Sequence, residues 1–413
     1  MTATELLAVA VVLAASVVMQ VVVQWAGGRR QPIGDEIEYL DRARSTDPFS
    51  PVPFLRVPLF IGVVVLSGGR ERWARFLVLV IGQLAVAATS IAGALLAGPA
   101  GALSAGAVFV LLPDRWVLAP HLWPDVLLAF WQASLLALLA AAVTGTTVAP
   151  WMFGIVCAAA ALTRLDSLAM LVAVSVLPLA RGGWSPISGT AALWAPTVVV
   201  LGAVAVHHRR RYGSYAIDDT AAFNAHVLQV ELQRPSLPVQ AAVEVAWGER
   251  RSTAAGRSAE RASIADLMRT PGRFCVAAVR RLHQMLGPDT FAAERLLAAG
   301  SPAYSEARPR FRWWALRGVG VGFPVLVALA TAGAVASRVD RSPLIPSLVT
   351  LLAVSAVHAR TRFRCSVLPA LSCWAGLALV EVLHRSDRAL LVLGLGVAAA
   401  VLTLRAPPRR EER

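Results

Sequence analysis

Long apolar blocks separated by short polar turns limit what this chain can fold into more than any other feature of its sequence. A bilayer core offers the backbone no hydrogen-bond partners, so blocks of this kind fit α-helices that cross or line a membrane. Residues 4–25 form a first span that ends at Trp25, an aromatic suited to the membrane interface. Further blocks lie at 75–98, 101–113, 125–144, 149–162, 165–180 and 189–206, and then at 313–337, 344–358, 365–384 and 389–404. Several are shorter than the roughly 20 residues that cross a bilayer. Short, kinked helices are tolerated where they line a cavity. The expected fold class is an all-α polytopic membrane protein with about 11 transmembrane helices. The first block is too long for a signal-peptide core and no small-residue cleavage site clearly follows it, so it reads as a retained span.

Polar stretches divide the chain. Residues 1–206 form an N-terminal transmembrane module whose first loop, 26–56, is polar. Residues 207–312 form a long hydrophilic segment with 16 arginines against 10 acids, read as a water-facing loop with helices. Residues 313–404 hold the C-terminal spans, and 405–413 are a charged tail. Residues 57–67 are apolar but too short to span, and Pro58 opens them. They read as an interfacial or re-entrant helix.

Only 15% of residues are charged, against about 25% in soluble proteins. The net charge of +14 is carried by arginine, and the chain has no lysine. That excludes lysine Schiff-base chemistry and a Walker-A phosphate loop. Arginine suits anionic lipid head groups or a phosphate. The positive charges sit between spans and not on one basic domain, which argues against nucleic acid. The four cysteines form no CxxC pair, so neither a zinc knuckle nor a disulfide framework is expected.

An acidic island stands out against this background: Gly34-Asp35-Glu36-Ile37-Glu38-Tyr39-Leu40-Asp41-Arg42-Ala43-Arg44. Asp35, Tyr39 and Arg42 recur at i, i+4 and i+7, one face of a short helix. Asp35 and Glu36 read either as a solvated pair at a helix start or as a functional pair, since a carboxylate at a membrane face is costly unless used or paired. Glu38 and Asp41 read as solvated. Asp125, after Pro124, fits a helix N-terminus, and with Asp35 and Glu36 it could bracket a divalent cation or an acceptor. His358-Ala359-Arg360-Thr361-Arg362-Phe363-Arg364 places three arginines at alternate positions in a short loop, a pocket for an anion or for lipid head groups. Arg56 and Arg164 add positive charge to two further turns.

Taken together, these segments resemble GT-C glycosyltransferases, and most of all the bacterial protein-mannosyltransferase-like branch that includes the lipid A aminoarabinose transferase. The run Asp35-Glu36-x-x-Tyr39-x-x-x-Ala43 is similar to that family's first luminal loop. Arg56-Val57-Pro58-Leu59, Pro124-Asp125, Thr163-Arg164, and Arg362-Phe363-Arg364 through Leu368-Pro369-Ala370-Leu371 follow in the family's order, over about residues 1–384. The chain departs from the pattern at Cys365-Ser366 and in the long loop. The resemblance implies a polyprenyl-phosphate-linked sugar donor, inversion at the anomeric carbon, and a glycan, lipid or protein acceptor. It implies a site on the outer face of the plasma membrane, although a count of arginines would put the island inside. It casts Asp35 as general base and Glu36 and Asp125 as positioning an acceptor or a cation. Arg364, Arg362, Arg56 and Arg164 would bind the lipid phosphate, with Tyr39 in support. A transporter or flippase of lipid-linked sugars, which breaks no bond, is the alternative.

Overall fold

A computed structural model describes residues 1–28, 31–50, 56–118, 121–179, 186–218, 220–234, 239–252, 263, 265–266, 269–286, 307–337, 339–357 and 366–384. Among the described residues the regular structure is helical throughout. The first helix, α1 (Ala3–Gly27), starts at a capping box in which the Thr2 hydroxyl takes the Glu5 N–H and the Glu5 carboxylate takes the Thr2 N–H. The island folds as α2 (Asp35–Arg44), with acids in its first turn and arginines in its last, the order the helix dipole favours. After it come α3 (Pro58–Leu66), α4 (Glu71–Leu111) and α5 (Pro113–Leu118). Then follow α6 (Pro124–Val143), α7 (Pro150–Thr163), α8 (Leu168–Leu179) and α9 (Pro186–Tyr212). Pro124 and Pro150 occupy the first helical turn, where their missing N–H costs nothing.

The hydrophilic segment contains α10 (Thr220–Gln233), α11 (Val239–Ser252) and α12 (Pro271–Leu286). α10 and α11 pack through Phe223, Val227, Val230, Ala242 and Ala246. Three more membrane helices follow: α13 (Pro309–Ala336), α14 (Ile345–Val357) and α15 (Leu368–His384). The blocks expected at 4–25, 125–144, 149–162, 165–180, 189–206, 313–337, 344–358 and 365–384 thus correspond to helices. The block at 389–404 and the tail lie outside the described residues.

Five helices among the described residues are long and apolar enough to cross a membrane: α1, α4, α6, α9 and α13. α7, α8, α14 and α15 are apolar but shorter. Outward-facing Leu7, Val18, Val21, Val198 and Val199 are each more than half exposed, as residues meeting lipid are. The protein is a multi-pass membrane protein.

The 41 residues of α4 are two helical arms. The backbone leaves helical geometry at Ala97 and Gly98, where Gly98 has φ +64° and Pro99 follows. The arms fold back closely: a Cβ on Gly101 would overlap the Gly93 carbonyl oxygen, and one on Gly106 would overlap the Ser90 hydroxyl. Small residues let membrane helices approach in this way. The sequence expectation of two spans, 75–98 and 101–113, matches these arms. α15 packs on the hairpin, with Gly376 against the Ala105 backbone, and Trp116, Trp374 and Phe323 fill the core between α5, α13 and α15.

The polar turns gather on one side. Tyr212, at the end of α9, donates to Asp47 at 2.9 Å. The Arg308 N–H, before α13, donates to Ala26 O at 3.3 Å. The 9-residue α3 is shorter than the roughly 20 residues a bilayer crossing takes. It buries Phe60, Ile61 and Val64 against Tyr39 and Leu40, and the Arg44 side chain reaches Gly69 O just past its end, so both its ends stay beside α2.

Glu36 fixes α2 to the bundle. The helix buries Glu36, Tyr39 and Leu40, spaced as one inward face. The Glu36 carboxylate, fully buried, takes four donors. Oε1 accepts from the Leu122 N–H at 2.7 Å and from Arg75 at 3.0 Å. Oε2 accepts from the Ile33 N–H at 2.9 Å and lies 3.3 Å from His121 Nδ1. His121, also fully buried, stacks on Trp123. Burial alone would raise the Glu36 pKa. His121, Arg75 and the Leu122 N–H outweigh it, and the carboxyl is lowered to about 2.

Two outcomes follow. Gly101→Val forces the hairpin arms apart, and overpacking of this kind costs about 1–3 kcal/mol. A lower melting temperature in detergent is expected, while Gly202→Ala, which has open space around it, melts as wild type. Because the folded carboxyl of Glu36 titrates below its usual value, its contribution is complete above about pH 4.5 and is lost as pH falls toward about 2. Glu36→Gln is expected to lose roughly 3 kcal/mol at neutral pH, and its melting temperature to fall less steeply than wild type between those pH values. Parallel pH profiles for the two proteins would contradict this.

Candidate active site

Two arginines singled out in the sequence, Arg56 and Arg164, interact with Tyr39, and each is paired with a carboxylate. Asp35 opens α2 with its side chain 31% exposed, and Arg56 Nη2 lies 3.9 Å from its Oδ1. Arg56, just before α3, makes its close contacts with Glu38, at 2.9 and 3.4 Å. Arg42 also pairs with Glu38, at 2.9 Å, and holds the Ser50 carbonyl. The Arg56 guanidinium lies 5.8 Å from the centre of the Tyr39 ring. Tyr39 is buried and edge-on to Phe60. Arg164, from the turn between α7 and α8, also feels Tyr39 and ties the first carboxylate of α6 to that turn. Nη1 bonds Asp125 at 3.1 Å, and Nε and Nη2 grip Asp166 at 3.2 and 2.6 Å.

The electrostatics are those of a closely balanced ion network. Burial alone would lower the Arg56 pKa, and Tyr39, Glu38 and Asp35 more than reverse it, so it stands above its usual value. Arg164 is likewise lowered by burial and raised further by Asp166 and Asp125. Four carboxylates (Asp35, Glu38, Asp125, Asp166) face three guanidinium groups (Arg42, Arg56, Arg164) among the described residues. Within this network Asp35 is the acid most open to solvent, since Glu38 and Asp166 side chains are 15% and 14% exposed and Asp125 3%.

The placements alter several sequence expectations. Glu36 stands apart from the cluster at the back of α2, with both oxygens facing N–H donors. It cannot also ligate an acceptor or a cation without giving these up. Asp125 is held by Arg164. The three carboxylates named from sequence therefore do not fit a shared divalent cation as placed. Among the described residues no group of three or more His, Cys, Asp or Glu side chains is arranged to hold a metal ion. Glu38 is no solvated acid but the hinge between Arg42 and Arg56. Its i,i+4 spacing to Arg42, acid first, was the available signal. Asp41 is 66% exposed, as expected. Arg362 and Arg364 lie outside the described residues.

Two residues that the sequence showed only as parts of polar turns were given no role. Asp166 grips Arg164 from two positions along the chain, which a charged i,i+2 pair in a turn could have suggested. Arg115, in α5, is 4% exposed, and burial brings its pKa down to about 9, leaving it charged at neutral pH. Its signal is an arginine flanked by Pro113 and Trp116 between two apolar blocks.

No protein-family model matches the chain, and no curated protein sequence matches it significantly. Two solved structures are similar to it. One is the oligosaccharyltransferase of Archaeoglobus fulgidus in complex with Zn and sulfate, at 14% identity and TM-score 0.48, covering 97% of this chain and 54% of that one. The other is ArnT from Cupriavidus metallidurans bound to undecaprenyl phosphate, at 17% identity and TM-score 0.39, covering 94% of this chain and 80% of that one. The chain thus spans about half the length of the archaeal protein it matches.

Proposed function

We propose that this protein is a membrane glycosyltransferase of the GT-C kind, moving a hexose or pentose from a polyprenyl-phosphate donor to a glycan, lipid or protein acceptor. One observation carries the reading. Asp35, Tyr39, Arg56, Asp125 and Arg164 come from segments up to 129 residues apart in the sequence, and two ion groups, Arg56 with Asp35 and Arg164 with Asp125, are linked through Tyr39, which packs with the start of α6. These are the residues on which the family resemblance rests. A fold that only spanned a membrane has no need to bring them together, because buried charge is costly unless used or paired.

In the proposed reaction the acceptor hydroxyl oxygen attacks the anomeric carbon from the face opposite the phosphate. Its proton passes to the Asp35 carboxylate. The anomeric carbon–oxygen bond breaks, its electron pair goes to the polyprenyl phosphate, and the configuration inverts. Asp35 suits the base because it is the most accessible acid of the cluster, and Glu38 takes the close contacts of Arg56 in its place. Tyr39 and the Arg164–Asp125–Asp166 group shape the wall on which the acceptor would lie. Arg362 and Arg364 remain proposed phosphate ligands from the loop before α15. In this reading the cluster faces the outside of the plasma membrane.

Asp35→Asn keeps the side chain's shape and removes its basicity. The variant is expected to melt as wild type and to bind donor unchanged, while transfer falls roughly 10²–10⁴-fold, the usual worth of a general base. Wild-type turnover by a folded Asp35→Asn protein would remove Asp35 from the mechanism.

A further inference from the structure

α12 differs from its neighbours in the hydrophilic segment. The described large apolar side chains of α10 and α11 are buried or half-buried. α12 has an inward side of the same kind, where Phe274, Ala278, Arg281 and Leu282 recur at i, i+4, i+7 and i+8. Phe274 packs with Leu228 of α10, the Arg281 guanidinium meets Glu231 at 2.8 Å, and Leu282 joins the main apolar core. The side turned away carries Cys275, Val276 and Val279. All three are exposed, the two valines by more than 60%. A helix surface that meets water is normally polar, and an apolar stripe this open belongs against protein or lipid.

The surroundings of α12 favour lipid. α12 packs on α14 and touches α13, both apolar helices of the membrane bundle. The segment that carries α12 enters α13 at Arg308, whose guanidinium lies 3.6 Å from the centre of the Trp25 ring at the end of α1. Trp25 and Trp313, in the first turns of α13, are both largely exposed. Exposed tryptophans and arginine at matching helix ends mark the level of the lipid head groups. Charge points the same way. Pro271 to Leu286 holds three arginines and no acid, a balance suited to an anionic surface. An apolar stripe on a short basic helix is the composition of helices that lie in the membrane interface.

We infer that α12 lies in the membrane interface, with Cys275, Val276 and Val279 dipping into the acyl-chain boundary of a bilayer that contains anionic phospholipid. Lipid on one side and α10 and α14 on the other then hold the hydrophilic segment down on the membrane. α14 also packs on the turn that carries Asp166, so α12 rests on a helix that supports one wall of the candidate site. The inference needs a membrane protein and not sugar transfer, so it stands or falls separately from the proposed function.

Cys275 is itself the probe. The full chain with Cys365→Ser is spin-labelled at Cys275, while Cys157 and Cys373 are buried and escape the label. Val276→Cys and Val279→Cys are labelled in turn with Cys275→Ser added. Gln233→Cys, exposed at the end of α10, serves as the reference for water. Each protein is placed in nanodiscs of phosphatidylcholine with phosphatidylglycerol. Electron paramagnetic resonance then compares collision with oxygen, which enters lipid, and with a water-soluble nickel chelate. Oxygen is expected to dominate at all three stripe positions, at a depth of about 5–10 Å, and the nickel chelate at Gln233→Cys. In phosphatidylcholine alone the stripe should ride shallower. Nickel dominating at the stripe overturns the inference in favour of a water-facing helix. Labels reached by neither reagent overturn it in favour of cover by protein, whether a second copy or another part of this chain. Unchanged depth without phosphatidylglycerol overturns the choice of an anionic surface. If either cysteine substitution prevents folding, the native Cys275 position decides alone.

Discussion

A single buried carboxylate decides where the site can be. Glu36 is fully enclosed, and four donors converge on it from Ile33, Arg75, His121 and Leu122. Ionised acids are tolerated out of water only when their oxygens are answered in this way. The four donors come from three separate stretches of chain, so the bond network ties α2 to the start of α4 and to the turn before α6. Asp35 precedes Glu36 and Glu38 lies half a turn beyond it. Their positions relative to Arg56 and Asp125 therefore follow from how firmly Glu36 is seated. The apolar contact of Tyr39 and Leu40 with α3 supplies the packing, and Glu36 supplies the register.

Charge is distributed unevenly around this frame. Near Tyr39 the arginines are matched by carboxylates, which keeps a dense set of ionised groups soluble at the edge of a membrane. In α5, Arg115 sits among aromatic and aliphatic side chains with a serine as its hydrogen-bond partner. An ion network that is internally satisfied can position a polar acceptor.

Much of this was legible from local pattern. Apolar block lengths located the spans. Pro58 and the shortness of residues 57–67 set α3 apart from the longer blocks, and the gap between the blocks at 75–98 and 101–113 matched the hairpin turn. The island's spacing predicted a helix, because 3.6-residue periodicity is a property of neighbouring positions. The role of Glu36 was not legible in the same way. It was taken as a group for the acceptor or a cation, and its partners His121 and Leu122 stand more than 80 residues away. Nothing in a run of Asp-Glu tells which carboxylate points inward until the helix has something to pack against. Glu38 and Asp166 were misjudged or passed over for the same reason: their importance lies in which arginine they meet. Arg115 was visible as a charge in a turn, but its burial against Trp116 and Phe109 exists only in three dimensions.

The account stands or falls on whether this protein breaks a donor bond. The direct measurement is to reconstitute the full chain in liposomes with a polyprenyl-monophosphate-linked sugar and its acceptors, and then to follow the lipid and the sugar separately. The account predicts release of polyprenyl phosphate, with the sugar joined to an acceptor in the opposite anomeric configuration. Donor that reaches the other leaflet intact, with no polyprenyl phosphate released, would contradict it and identify a carrier of lipid-linked sugars instead.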